Sequence, residues 1–198
     1  MPESANVLRA AALFSADSEV EYSEPIPVMY LDETPDDPNF NRQRYLSQIL
    51  GEAAWDVHKG EDGIEVVVGI SDTGVEWYHE DLVDNIKQNL GEDADGDGHV
   101  IELSGSDWIF DPGDENNIDD DGNGYRDDFV GWNFYNDAGR GDNDPDDPGS
   151  HGTHVAGLAA AVTDNGLGVA AISWNVKILA TSASNSSSGD TIDRGYQA

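Results

Sequence analysis

The chain has 198 residues, no cysteine, and 41 acidic against 9 basic residues, for a formal net charge of −32. That length suits one domain with a sizeable core, while the charge excludes nucleic acid and anionic membranes as partners, since phosphate and lipid headgroups would repel the surface. The missing cysteines exclude disulfides, thiolate metal sites and a cysteine nucleophile, and the acidic excess points to bound cations or to a secreted, salt-tolerant surface.

Residues 1 to about 40 are mixed. "NVLRAAALF" has the length for two helical turns, and "EVEYSEPIPVMYL" reads as a strand that ends at prolines. The start, "MPESANVLRAAALF", lacks the basic residues and long apolar centre of a signal peptide. No apolar run is long enough to span a bilayer. "DETPDDPNF" is acidic and proline-rich without periodicity, the signature of a linker. In "YLSQILGEAAWDV" the apolar residues Leu46, Ile49, Leu50, Ala53, Ala54 and Val57 recur at helical spacing, which predicts a short helix or helical turns.

"IEVVVGI", residues 64–70, is a nearly continuous β-branched run and predicts a strand buried on both faces, as in a parallel sheet. It leads into "SDTGV", which puts Asp72 at the C-terminal end of the strand, the edge where open α/β sheets keep their ligands and reactive groups. Residues 91–149 then hold sixteen aspartates but only two basic residues, Arg126 and Arg140. Short apolar pieces, "DWIF" and "FVGWNFYN", interrupt the acidic loops as strand ends. "SHGTHVAGLAAA" opens a helix that runs to about Val162, and a further strand is predicted near Val176 to Thr181. "SNSSSG" is a polar loop, and "DTIDRGYQA" opens another helix with Asp190 as its cap.

A histidine at a helix start and a carboxylate at a strand end make a usable pair. Neutral imidazole takes a proton near physiological pH. A carboxylate on its other nitrogen fixes the tautomer and stabilises the imidazolium. In this reading Gly152 lets the chain turn tightly beside His151, Gly157 and the alanines let the helix pack closely, and His154 packs or hydrogen-bonds.

The blocks "VVVGISDTGVEWYHEDL", "HGTHVAGLAAAV" and "GVAAISWNVKIL" resemble the subtilisin-like serine peptidases, from about Asn39 to Ala198, broken by the acidic segment. The histidine block is highly specific; the aspartate block alone is moderately so. The resemblance implies that Asp72 is the catalytic aspartate and His151 the catalytic base of an Asp/His/Ser triad acting on protein or peptide substrates. It implies an α/β fold, a three-layer sandwich around a mainly parallel sheet, incomplete at the C-terminus and carrying residues 91–149 as an acidic insertion, whose loop spacing assigns it to calcium. In subtilisin the serine follows the histidine by roughly 150 residues. Here no Gly-Thr-Ser block follows His151, and the asparagine of the family's oxyanion hole is absent as well. Ser186, Ser187 and Ser188 sit in a setting that reads as a surface loop. The expectation is a fragment, inactive alone, of a secreted precursor that is a monomer when complete. Residues 1–31 resemble the tail of an inhibitory propeptide, itself a partner of the enzyme; 32–44 form a linker and 45–198 the N-terminal part of the peptidase domain.

Within the acidic segment, Asp93, Asp95 and Asp97 alternate before Gly98, with a backbone carbonyl from His99. This is the first half of a calcium loop, with carboxylates at positions 1, 3 and 5 and glycine at 6. Position 12 is Ser104, so it is not a complete EF-hand, and Glu102 is the candidate to close it. Asp119, Asp121, Asn123, Gly124 and the Tyr125 carbonyl repeat the pattern, with Asp127 or Asp128 completing it. Such hard oxygen donors suit calcium over zinc or copper. The resemblance alone implies a third calcium site at Asp81, with Asn165 and carbonyls near Val162, Leu167 and Val169; the competing reading of Asp81 is a helix-capping carboxylate. His79 reads as structural, His58 and His99 as exposed, and Trp77, Trp108, Trp132 and Trp174 as core or loop anchors. Two other functions stay open: a non-catalytic calcium-binding module, and a metal hydrolase built on His151 and His154, although no glutamate lies between them as in H-E-x-x-H.

Overall fold

The computed structural model describes residues 13–23, 34–60, 64–134, 141–147 and 149–183. The chain forms two compact units, Met1–Asp32 and Glu33–Ala198. In the first, residues 13–15 make one helical turn, and Leu13, Phe14 and Tyr22 are exposed. Residues 19–23 are turn and irregular chain; the rest of the predicted strand lies outside the described residues, as do Ser186 to Ser188 and the helix expected from Asp190.

The second unit starts with two short helices, α1 (Arg44–Gln48) and α2 (Gly51–Trp55). The strand β1 (Val66–Asp72) follows, then an antiparallel hairpin of β2 (Ile101–Ser104) and β3 (Asp107–Phe110), then β4 (Gly131–Asn133). The helix α3 (His151–Ala160) leads to β5 (Val176–Ser182). The sheet order is β1-β5-β4, and both pairings are parallel. The fold is therefore mixed α/β around a parallel sheet, as the β-branched runs and the intervening helix predict. β3 and β4 arise from "DWIF" and "FVGWNFYN", while β2 comes from "IELS", which the sequence reading left unassigned, so the acidic segment brings structure of its own into the body.

The central strand shows the expected period of two. Val176, Ile178, Ala180 and Ser182 of β5 are buried, while Leu179 is 40% exposed. β1 departs from the sequence reading. Ile70 is buried, but Val66 and Val67 are 50% and 41% exposed. Val67 is on the open face with Leu179, and β1 lies at the edge of the sheet among the described residues, which leaves Val66 uncovered. The covered face carries α3, whose Ala156 and Ala160 pack with Ile70, Ile178 and Ala180. Small side chains let the helix backbone come close to the sheet. The hairpin seals the same core from another side: Phe110 stacks on Trp77 with ring centroids 4.6 Å apart and meets Phe129 at 5.3 Å.

The segment expected as a linker is tied down. Gln43 donates its amide to Ala170 O at 2.7 Å and accepts Ala170 N–H at 2.8 Å, copying a strand pairing with one side chain. Asn39 donates to Gly168 O, and Asp37 accepts Asp164 N–H. Leu46 and Trp55 complete a second small core with Ala170, Phe40 and Trp174, and Trp55 Nε1 donates to Ile172 O.

Candidate functional site

β1 ends on Asp72 and α3 begins on His151, so the two predicted residues stand at the strand end and helix start where the sequence put them. His151 Nδ1 lies 2.6 Å from Asp72 Oδ1, across 79 residues of chain. Asp72 Oδ1 also accepts Thr73 N–H at 2.7 Å, and its carbonyl accepts Ala183 N–H from the residue just past β5. An ionised carboxylate only accepts hydrogen bonds, so the proton sits on Nδ1 and Nε2 is left as the nitrogen for proton transfer. The hydrogen bond to Asp72 and then that residue's charge hold the imidazole above its usual pKa; Asp147 adds a smaller push in the same direction.

The His151 side chain is 69% exposed, so packing alone does not hold it. Its backbone is held instead. Gly152 N–H donates to Thr73 Oγ1 at 3.0 Å. A Cβ on Gly152 would fall 2.0 Å from Gly74 O and 3.0 Å from Asp72 Cβ, so close approach, rather than a tight turn, requires glycine there. Gly157 faces open space, so the close helix–sheet packing falls to the alanines alone.

Sequence reasoning missed Asp147, one carboxylate among the four of "DNDPDD". It is 9% exposed and accepts Gly149 N–H on Oδ1 and Thr153 N–H on Oδ2, both at 2.9 Å. The Thr73 and Thr153 hydroxyls bond to it as well. Burial opposes its charge, but these bonds outweigh burial and hold the carboxyl below its usual range. Asp147 thus ties the residue after Asp72 to the residues after His151. It also caps α3, whose N-cap Ser150 makes no side-chain bond.

Asp81 is 3% exposed. Its carboxylate accepts Val169 N–H at 2.9 Å and the Asn165 amide at 3.1 Å, and its carbonyl accepts Val162 N–H. It fastens residues 162–169 and does not cap a helix. Asp37 reaches the same stretch by accepting Asp164 N–H at 2.9 Å. It is equally buried, and its Oδ1 has no hydrogen-bond partner. Burial pushes its carboxyl up, and the charge of Asp81 adds to the push. His154 lines a cavity of about 340 Å³ with His79, Asp81, Tyr45, Gly157 and Val169.

The acidic loops divide their predicted ligands in a way the spacing does not. Asp93 and Asp95 converge with Asp114, each giving an oxygen within 4.8 Å of the others. Asp97 and His99 converge instead with Asp111, with His99 Nδ1 3.1 Å from Asp97 Oδ1 and 3.0 Å from Asp111 Oδ2. In the second loop, Asp121 and Asp128 converge with Glu92. Asp119 braces its own loop by accepting Gly122, Asn123 and Gly124 N–H groups. Asn123 donates to Asp121 and Asp128, and the Tyr125 ring packs on Trp132. Asp127, at φ 52°, turns away and accepts Asn116 and Asn117 N–H. Glu102 pairs with Ile109 in the hairpin and joins none of the three clusters. Glu92 and Asp114 are fully buried, and burial is the first cause that pushes both carboxyls up.

The subtilase family (peptidase S8) matches residues 63–197. A thermophilic serine proteinase of Bacillus sp. strain AK1 is 34% identical over 174 residues, which cover 87% of this chain and 31% of that protein. The halolysin-like extracellular serine protease Nep of Natrialba magadii is 30% identical over 176 residues, 89% of this chain and 25% of its own length. A solved protease from Pseudoalteromonas arctica aligns over 74% of this chain and 38% of its own, at 29% identity and a TM-score of 0.47. The chain thus spans between a quarter and a third of the length of the two curated relatives. Since the family match takes in both β1 with Asp72 and α3 with His151, and covers most of the 198 residues, the chain belongs to the subtilase family.

Proposed function

We propose that this chain is part of a secreted serine-type endopeptidase that hydrolyses peptide bonds in proteins. The observation that carries the reading is the 2.6 Å contact between Asp72 and His151 at the C-terminal end of a parallel sheet. His151 Nε2 takes the proton of an attacking serine hydroxyl as that oxygen adds to the scissile carbonyl. It then returns the proton to the leaving amine, and the cycle repeats with water. Asp72 holds the imidazole in the working tautomer and stabilises it when charged. The serine lies outside the residues described. Secretion is supported by the extracellular Nep protease among the relatives and by the charge of −32. Residues 1–31 fit the tail of an inhibitory propeptide by the sequence resemblance alone.

Calcium fits the acidic sites. The donors are almost all carboxylate oxygens, and two buried ones, Asp37 Oδ1 and Asp114 Oδ2, have no hydrogen-bond partner. Hard oxygen donors of this kind select calcium over softer ions. Bound calcium would neutralise the facing carboxylates; Asp37, Asp81 and Asn165 would hold one ion, and the two loops the others.

A serine-directed phosphonofluoridate tests the reading on the secreted peptidase that contains this chain. Stoichiometric labelling of a serine, abolished with peptide hydrolysis by His151→Ala, is expected. Hydrolysis that resists the reagent, or that a zinc chelator stops, would favour the metal-hydrolase alternative.

A further inference from the structure

The two acidic loops share more than their spacing. In the first, Asp93 accepts Gly96 and Gly98 N–H, Asp95 accepts Asp97 N–H, and Asp97 accepts His99 N–H. In the second, Asp119 accepts Gly122 and Gly124 N–H, Asp121 accepts Asn123 N–H, and Asn123 accepts Tyr125 N–H. The paired glycines take the same left-handed backbone: φ 80° and 96° at Gly96 and Gly98, 76° and 102° at Gly122 and Gly124. The loops are one conformation used twice.

A second motif is also repeated. Asn89-Leu90-Gly91-Glu92 and Asp111-Pro112-Gly113-Asp114 each close a tight turn, with Glu92 N–H to Asn89 O and Asp114 N–H to Asp111 O, both at 3.1 Å. In each turn the first side chain accepts the glycine N–H two residues on. The glycine admits a loop carboxylate: a Cβ on Gly91 would meet Asp121 Cβ at 2.6 Å, and one on Gly113 would meet Asp95 Oδ2 at 2.3 Å. The last residue is a fully buried acid. Glu92 Oε1 accepts the N–H groups of Asp120 and Asp121, and Asp114 Oδ1 accepts those of Ala94 and Asp95. These are the second and third residues of each loop.

The turns and loops are crossed. The turn ending in Glu92 directly precedes the first loop yet grips the second. The turn ending in Asp114 precedes the second loop yet grips the first. Each grip leaves a carboxylate cluster, Asp93–Asp95–Asp114 in one and Glu92–Asp121–Asp128 in the other. Asp114 supplies the feature that hydrogen bonding leaves open: its Oδ2 is buried and unpartnered, in a cluster with two more carboxylates. Three like charges gathered around an unsatisfied buried oxygen are costly without a counter-charge.

We infer that the duplicated turn-and-loop unit forms a reciprocal pair of calcium sites, each closed by a buried acid from the other unit's turn, with Asp114 a ligand of the first site and Glu92 of the second. The inference rests on the calcium reading above and replaces the incomplete EF-hand closed by Glu102. It also makes the two sites neighbours through the Glu92–Asp93 peptide bond, so that each loop is locked only when the turn beside the other is in place.

The test is calcium titration by calorimetry of the chelator-stripped secreted protein, with Asp114→Asn, Asp95→Asn, Glu92→Gln and Asp107→Asn. Asp107 is an exposed residue of the hairpin and lies outside both clusters. Asp114→Asn and the exposed Asp95→Asn are expected to weaken the same site, roughly 10- to 100-fold. Glu92→Gln should weaken a different site, and Asp107→Asn none. Asp95→Asn keeps the test decisive if a buried substitution fails to fold. Unchanged calcium affinities in both Asp114→Asn and Asp95→Asn would overturn the reciprocal closure while leaving calcium binding standing. A parent protein that binds no calcium would overturn the calcium reading as well.

Discussion

The imidazole of His151 is tuned by two carboxylates, and each leaves a different mark. Asp72 raises its pKa by a hydrogen bond and by charge. The raised value means that the pair stabilises the fold fully below the ordinary pKa of 6.5, and that this contribution is lost as pH rises through the folded value. Catalysis runs the other way, since the base must be neutral, so the acid limb of the rate profile should lie above the ordinary histidine value. Asp72→Asn is expected to shift that limb to lower pH and to cut kcat by about 10⁴-fold, because the wrong tautomer is favoured; a limb that stays in place contradicts the assignment. Asp147 acts through the backbone. Asp147→Asn removes a charge that pushes the imidazole up and weakens the ties to Thr153 and Gly149, so a smaller shift in the same direction is expected. Thermal unfolding should show a loss of about 1–3 kcal/mol, and a variant as stable as the parent would remove Asp147 from the framework.

At the scale of elements, what was legible followed from local pattern. The β-branched "IEVVVGI" gave β1, "NVKILATS" gave β5, and the glycine and alanine run after His151 gave α3. Asp72 and His151 were legible because each sits at an element boundary inside a specific block. The exposure of Val66 and Val67 was not legible, because composition does not report which neighbours a strand has. Glu92 and Asp114 were missed for a related reason: each reaches its carboxylate cluster from outside the loop it joins, and the EF-hand spacing rule looks only within one loop. Asp147 was hidden by its neighbours, since four aspartates in six residues read alike until hydrogen bonds separate them. Residues 32–44 read as linker because proline and aspartate dominate their first half, while the anchoring of the described part, 34–44, rests on single side chains. Gln43→Ala removes two hydrogen bonds to Ala170 in a buried setting and leaves a backbone N–H and C=O without partners. A loss of about 2–4 kcal/mol is expected in denaturant unfolding; a loss under about 0.5 kcal/mol would mean the segment is not held there.

The chain carries a charge of −32 on its 198 residues, and self-repulsion opposes the compact state unless cations offset it. The chelated protein should therefore gain thermal stability as salt rises from about 0.1 to 1 M, where the screening length falls from about 10 to 3 Å. Calcium at millimolar levels should raise Tm further, because it binds specific clusters rather than screening the surface. A Tm indifferent to both would contradict the role given to the acidic segment. That His151 is the base of a serine peptidase is tested by peptide hydrolysis with the secreted enzyme and its His151→Ala variant under identical calcium. A fall in kcat of about 10⁶-fold, with the variant still folded and still binding calcium, is the expected result. Turnover within about tenfold of the parent would show that the Asp72–His151 pair is not the catalytic machinery.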